Sequence, residues 1–233
     1  MDKGKLLFGL GGFVVGIVIG FMFANSVNRS ASISGNPETA SNVSSVSNPN
    51  LPPNHPPLSQ DNDPSQGGAL PQVTEAIERA RREPGNFEAQ MTAGDLYYQI
   101  QRLNEAAEFY EKANRLRPGE TEPALKLGNT FFDAERYDEA ERWYSAVLKK
   151  TPNDVSVRTD LGLTFFLRTP RDIDRAIKEY KAALAIQPDN EVALQNLALA
   201  FIEKNDSGNL EKTLDKLSKV NPNNPVLLKQ RPK

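Results

Sequence analysis

LGNTFFDAERYDEAERWYSAVLKKTP, residues 127–152, sets a small residue at Gly128 and an aromatic three positions on at Phe131. After a polar turn come Ala140, Tyr144, Val147 and a closing Pro152. The same arrangement stands upstream as Gly94, Tyr97, Ala106, Tyr110, Ala113 and Pro118, and downstream as Gly162, Phe165, Ala176, Tyr180, Ala183 and Pro188. A fourth copy reads Ala198, Phe201, Leu210, Leu214, Leu217 and Pro222. With Pro84 ahead of them, the five prolines lie 34, 34, 36 and 34 residues apart. A fixed period of this size marks a solenoid, in which each small unit buries its apolar face only against its neighbours. Each unit has two runs of helically spaced apolar residues with a polar turn between, which predicts an antiparallel helix pair. The small residues are expected where the paired backbones come close, with the aromatics filling the space beside them.

This pattern resembles the tetratricopeptide repeat, whose Leu-Gly, later aromatic, Ala, aromatic and closing Pro are met by Ala93-Gly94, Leu127-Gly128 and Leu161-Gly162 with their followers. The resemblance covers about 87–222 and implies an all-α, right-handed superhelical solenoid over 84–222, with four units near 87–120, 121–154, 155–190 and 191–224. There are departures. Gln90, Ala124, Arg158 and Leu194 stand where the family often has an aromatic residue. The third unit carries two extra residues around Thr169-Pro170-Arg171. Leu210 and Leu214 replace the small residue and the aromatic in the fourth, so its helices are expected to pack less closely.

Leu70, Val73, Ala76, Ile77 and Ala80 form an apolar stripe that predicts a capping helix over 69–83. At the other end, in the tail 223–233, Asn224 and Pro225 suit the N-cap and first position of a short helix, too short to cover the last pair well. That end is a candidate contact for a partner or a second copy.

Ahead of the repeats the composition changes twice. Residues 6–24 carry no charge and at 1.5 Å per residue reach roughly 28 Å, close to a bilayer core, which predicts a single transmembrane helix. A cleaved signal peptide is the competing reading, since Ala24-Asn25-Ser26 offers small residues, but its apolar core is shorter than this one. Lys3 and Lys5 in the short basic end 1–5 place the N-terminus in the cytoplasm and the repeats outside it, periplasmic if the cell is bacterial. Gly12, Gly16 and Gly20 share one helix face, spacing that permits a homo-oligomer. Residues 25–68 are rich in Asn, Ser and Pro with few large apolar residues, so a disordered linker is expected.

With 28 basic against 30 acidic residues, the chain lacks the charge excess on which nucleic-acid binding depends. Cysteine is absent, which excludes disulfides and thiolate metal sites, and the one histidine, His55, lies in the Pro-rich stretch. The acid pairs Asp172 and Asp174, and Glu139 and Glu141, read as helix-start residues rather than catalytic carboxylates. No cofactor, metal or catalytic group is expected, and the chain reads as a binding protein rather than an enzyme.

The resemblance implies that the first helix of each pair lines a groove. The positions that face it are Met91, Asp95 and Tyr98, then Leu125, Asn129 and Phe132, then Thr159, Leu163 and Phe166, then Gln195, Leu199 and Ile202. The groove is mostly apolar and aromatic. Family members that clamp the carboxylate end of chaperone tails use Lys and Asn there, and only Asn129 and Asn196 offer anything similar. An extended or helical apolar peptide is the expected ligand of a membrane-tethered protein–protein scaffold. Two alternatives stay open: an assembly factor similar to the tetratricopeptide subunits of cytochrome c maturation, and a structural oligomer joined through the membrane helix and the solenoid end.

Overall fold

The computed structural model describes residues 71–231. The expected anchor at 6–24, with its glycines, and the linker at 25–68 lie outside them. Among the described residues no helix is long and apolar enough to cross a membrane.

Ten helices and no strands are present among the described residues. A leading helix α1 (Pro71–Arg82) precedes four pairs. These are α2 (Phe87–Gln99) with α3 (Leu103–Leu116), α4 (Glu122–Asp133) with α5 (Tyr137–Lys150), α6 (Val155–Leu167) with α7 (Ile173–Ile186), and α8 (Glu191–Glu203) with α9 (Ser207–Val220). A short α10 (Pro225–Gln230) closes the stack. Each helix packs on the next in chain order, as expected of a solenoid, and α8 and α9 pack least closely of the four pairs.

The repeating proline sits in the turn that starts each unit. In all five places the residue before it accepts from the backbone N–H three residues on: Asn86 to Glu83, Glu120 to Arg117, Asp154 to Thr151, Asn190 to Gln187 and Asn224 to Asn221. Proline at the second position of such a turn is already held near the required φ. In units one, three and four the last turn residue then caps the following helix, whereas the helix of unit two starts after Thr121 without a side-chain cap. Asn86, Asp154 and Asn190 accept from Ala89, Val157 and Ala193 at 3.1, 3.0 and 2.9 Å.

Within a pair, the turn is three residues long except in the third. Gln101, Glu135 and Asn205 take φ of 60, 57 and 57° there, and the chain reverses through paired backbone bonds to the end of the first helix. Between α6 and α7 the turn is two residues longer, yet Asp172 N still bonds Phe165 O at 2.9 Å, matching Arg136 N to Phe131 O in the unit before. The insertion is absorbed without changing how the helices meet.

What locks each pair is a tyrosine ring laid on a glycine. A Cβ built on Gly94 would stand 2.5 Å from the Tyr110 ring, one on Gly128 2.7 Å from Tyr144, and one on Gly162 2.5 Å from Tyr180. All three tyrosines are buried. The glycine therefore makes a slot for a side chain, rather than a close approach of two backbones. In the fourth pair Ala198 and the smaller Leu214, both buried, exchange the volumes.

The two ends differ. On α1, Ile77 and Ala80 are buried, and Gln90 Nε2 donates to Ala80 O at 2.6 Å and to Glu83 O at 3.2 Å, the first of which is left open because Pro84 has no N–H. The polar residue that replaces the family's aromatic is thus a helix cap. At the far end α10 starts where Asn224 and Pro225 predict. Asn224 is buried, capping Val226 N at 3.0 Å and donating to Glu191 Oε1 and Gln195 Oε1 at 2.8 and 3.0 Å. Val226 and Leu227 are buried beneath it, so α10 covers more of the last pair than its six residues suggest.

Gly128→Ala is expected to lower the unfolding free energy by about 1–2 kcal/mol, the overpacking of a buried ring exceeding the helix propensity gained. Adding Tyr144→Leu, which copies the Ala198 and Leu214 pairing, should recover part of the loss. Urea unfolding of the three chains checks both statements.

Candidate functional site

The twelve expected groove positions fall on the four first helices, but they are not equally available. Asp95, Tyr98, Leu125, Asn129, Phe132 and Ile202 are half-buried. Met91 is buried, as are Thr159, Leu163, Phe166, Gln195 and Leu199, none more than 6% exposed. The open part of the face therefore belongs to α2 and α4, with Ile202 on α8 the one open position further along. Beyond it the first helices close on one another, since α6 and α8 touch directly. On α8 every residue from Ala193 to Phe201 is buried, as its nearly unbroken apolar sequence requires. Gln195 has its carbonyl oxygen committed to Asn224.

A polar line runs under the open part. Tyr110 Oη donates to Asp95 Oδ1 at 2.6 Å, and Lys126 Nζ reaches the same oxygen at 2.8 Å. One unit on, Tyr144 Oη donates to Asn129 Oδ1 at 2.9 Å, which leaves the amide nitrogen of Asn129 as the group to offer a ligand. The next position is Leu163, which accepts nothing. Tyr180 Oη accordingly finds no partner among the described residues, nor does Asn196 Nδ2, and both residues are buried. Asn196 is thus unavailable as a clamp residue.

The rim is aromatic. Tyr98 Oη donates to Asp133 Oδ2, and Phe132 meets Tyr137 edge to face with ring centroids 5.6 Å apart. Asp133 is exposed as a residue, yet desolvation pushes its carboxyl up, with the Tyr98 hydroxyl opposing that shift. Burial, then the Asp133 bond, holds the Tyr98 phenol well above its usual value. Tyr110 and Tyr180 are raised in the same direction, chiefly by burial. Lys126 and Tyr137 escape the reading from sequence. Each turns towards a residue of an earlier helix, Lys126 to Asp95 and Tyr137 to Phe132.

Among the described residues no cluster of His, Cys, Asp or Glu could hold a metal ion. Asp172 caps Arg175 N at 3.1 Å, Glu139 pairs with Arg136 at 2.7 Å, Asp174 pairs with Lys204, and Glu141 pairs with Arg168 at 3.0 Å. These acids are tied up in caps and ion pairs.

Residues 67–121 and 101–159 each match a tetratricopeptide repeat family model, so this segment is built of tetratricopeptide repeats. No curated protein matches the chain. Among solved structures, a crystal structure of MamA is similar at a TM-score of 0.59 and 20% identity, covering 69% of this chain and 85% of that one. MamA 41-end from Desulfovibrio magneticus RS-1 is similar at 0.57 and 19%, covering 69% and 86%. YrrB, described as a TPR protein with an unusual peptide-binding site, is similar at 0.60 and 19%, covering 68% and 81%. At these identities the likeness establishes the fold.

Tyr110→Phe and Tyr144→Phe are each expected to lower stability by about 1 kcal/mol, whereas Tyr180→Phe, which removes an unpartnered hydroxyl, leaves it unchanged or raises it. Equal losses at all three positions would contradict the assignment. Stability should also fall as pH rises above about 10, where an unfolded tyrosine ionises. The folded chain holds more tyrosine protons than the unfolded one there, so the slope is negative. Urea midpoints on either side of that pH, with Tyr180→Phe showing the shallower fall, check the sign.

Proposed function

We propose that this chain is a membrane-tethered docking scaffold that takes an extended or helical apolar segment of another protein on the first helices of units one and two. The observation that carries the reading is the gathering of Tyr98, Leu125, Asn129 and Phe132 on one half-open face, while the equivalent residues further along, Ile202 excepted, are covered. Apolar side chains of the segment would pack on Tyr98, Leu125 and Phe132. A backbone carbonyl would accept from the Asn129 amide, which Tyr144 holds by its oxygen. This combination of aromatic anchors and a few fixed polar groups is the usual make-up of a peptide site.

The tetratricopeptide repeats over 67–159 support a protein-binding role, and the fold likeness to YrrB, a protein described by its peptide-binding site, points the same way. In this reading residues 6–24 anchor the chain, with the N-terminus cytoplasmic and the repeats on the far side of the membrane. The role is non-catalytic: the partner is held, and nothing is converted.

A pull-down from detergent-solubilised membranes should recover a partner with the full chain and at least about tenfold less with Tyr98→Ala combined with Phe132→Ala, since two aromatic anchors are removed. Circular dichroism shows whether the variant keeps its helices. A partner retained in full by a folded double variant would sink the proposal.

A further inference from the structure

We propose that a second docking site lies on the other side of unit four, between α7 and α9 over α8, and takes an acidic peptide segment that carries a bulky apolar side chain. A cavity of about 360 Å³ opens there. Leu194, Leu197 and Phe201 lie beneath it, none more than 5% exposed, its open apolar surface is Leu184 and Ala185, and its walls are Lys181 from α7 with Lys212 and Lys216 from α9. The volume lies within the range of small-ligand pockets, and a leucine- or phenylalanine-sized group fits it.

The cavity exists because three filling side chains of the preceding unit are not repeated. There, Arg158 and Glu179 pair at 2.9 Å, both well covered, and the Arg175 guanidinium lies 3.9 Å from the centre of the Phe165 ring. The equivalent positions in unit four are Leu194, Thr213 and Asn209. The first cannot pair, the second is too short, and the third is turned to Asp206 at 2.7 Å. Phe201, 3% exposed, has the Lys181 ammonium at 5.5 Å from its ring centre.

The charge at this place is one-sided. Lys181, Lys212 and Lys216 are exposed, and none makes an ion pair among the described residues, whereas Lys204 is paired with Asp174. The acids of α9 that could have neutralised them, Glu211 and Asp215, are taken by Arg231. Asp206, which Lys181 stabilises at longer range, is held by Asn209. Lys212 and Lys216 stand one helical turn apart, about 5–6 Å, with Lys181 on the facing wall. Ammonium groups on two walls of an apolar slot suit carboxylates spaced along a peptide on either side of an apolar residue. A lone anionic group could meet only part of the set.

The test is fluorescence anisotropy of the full chain with labelled Glu-Asp-Leu-Phe-Glu-Asp, and with Gln-Asn-Leu-Phe-Gln-Asn as the uncharged control. Saturable binding of the acidic peptide is expected, weakened by salt and roughly tenfold or more weaker for the amide control and for Lys181→Gln, Lys212→Gln and Lys216→Gln combined. Leu194→Arg with Thr213→Glu, which rebuilds the ion pair of the preceding unit inside the cavity, should abolish it. Tyr98→Ala with Phe132→Ala should leave it unchanged, which separates this site from the first. Absence of saturable binding, equal binding of the control, or full affinity in the lysine variant overturns the proposal.

Discussion

Each of the first three repeats depends on one contact: a buried tyrosine ring lying against a glycine that has no Cβ to obstruct it. Gly94 with Tyr110, Gly128 with Tyr144 and Gly162 with Tyr180 set how far apart and in what register the two helices of a pair stand. Everything outside the pair follows from that setting. The turn after the first helix must reverse within three residues, which is why Gln101, Glu135 and Asn205 accept a left-handed backbone. The turn before the next unit must deliver a capped helix at the right place, which the proline and the following Asn or Asp achieve. The protein interior tolerates little change of volume, so the fourth pair could abandon the glycine only by giving up the tyrosine as well.

The same tyrosines govern the face on which a ligand is proposed to dock. Their hydroxyls emerge beside the first helix of the pair, where the residue after the glycine either accepts them or does not. Asp95 and Asn129 do, and there the face carries polar, half-exposed groups. Leu163 does not, and from that point the first helices are apolar on the same side and close on each other. The polar-to-apolar change along this one row divides the stack into an open half and a sealed half. The unpartnered Tyr180 hydroxyl marks the seam: the third unit keeps the aromatic of the units before it and the leucine of the unit after it.

Much of this is legible in the sequence. The period, the helix pairs, the capping helix near 69–83, the two-residue insertion at Thr169-Pro170-Arg171 and the start of the last helix at Asn224 follow from local signals, because each depends on residues within one turn or one unit. The meaning of the glycines is only half legible, since spacing shows that something must fit there but not that it is a ring. The state of the groove is less so. Thr159, Leu163, Phe166 and Leu199 have the same register as Leu125, Asn129 and Phe132, and whether such a position is covered depends on the following unit. Gln195 is the clearest case, for its partner Asn224 lies 29 residues away. One signal was present: α8 is apolar all round, and a helix of that kind is buried on every side. The cavity over α8 is likewise invisible to any single unit and appears only when Leu194, Asn209 and Thr213 are compared with Arg158, Arg175 and Glu179.

The central claim is an open face in units one and two and a face in units three and four sealed except at Ile202. Hydroxyl-radical footprinting of the full chain, read residue by residue by mass spectrometry with and without a bound partner, tests this most directly. The account predicts strong labelling of Tyr98 and Phe132 in the free protein, suppressed by the partner, and weak labelling of Phe166 and Leu199 in both states. Labelling of Phe166 as strong as that of Phe132, or a partner that protects neither Tyr98 nor Phe132, would contradict it.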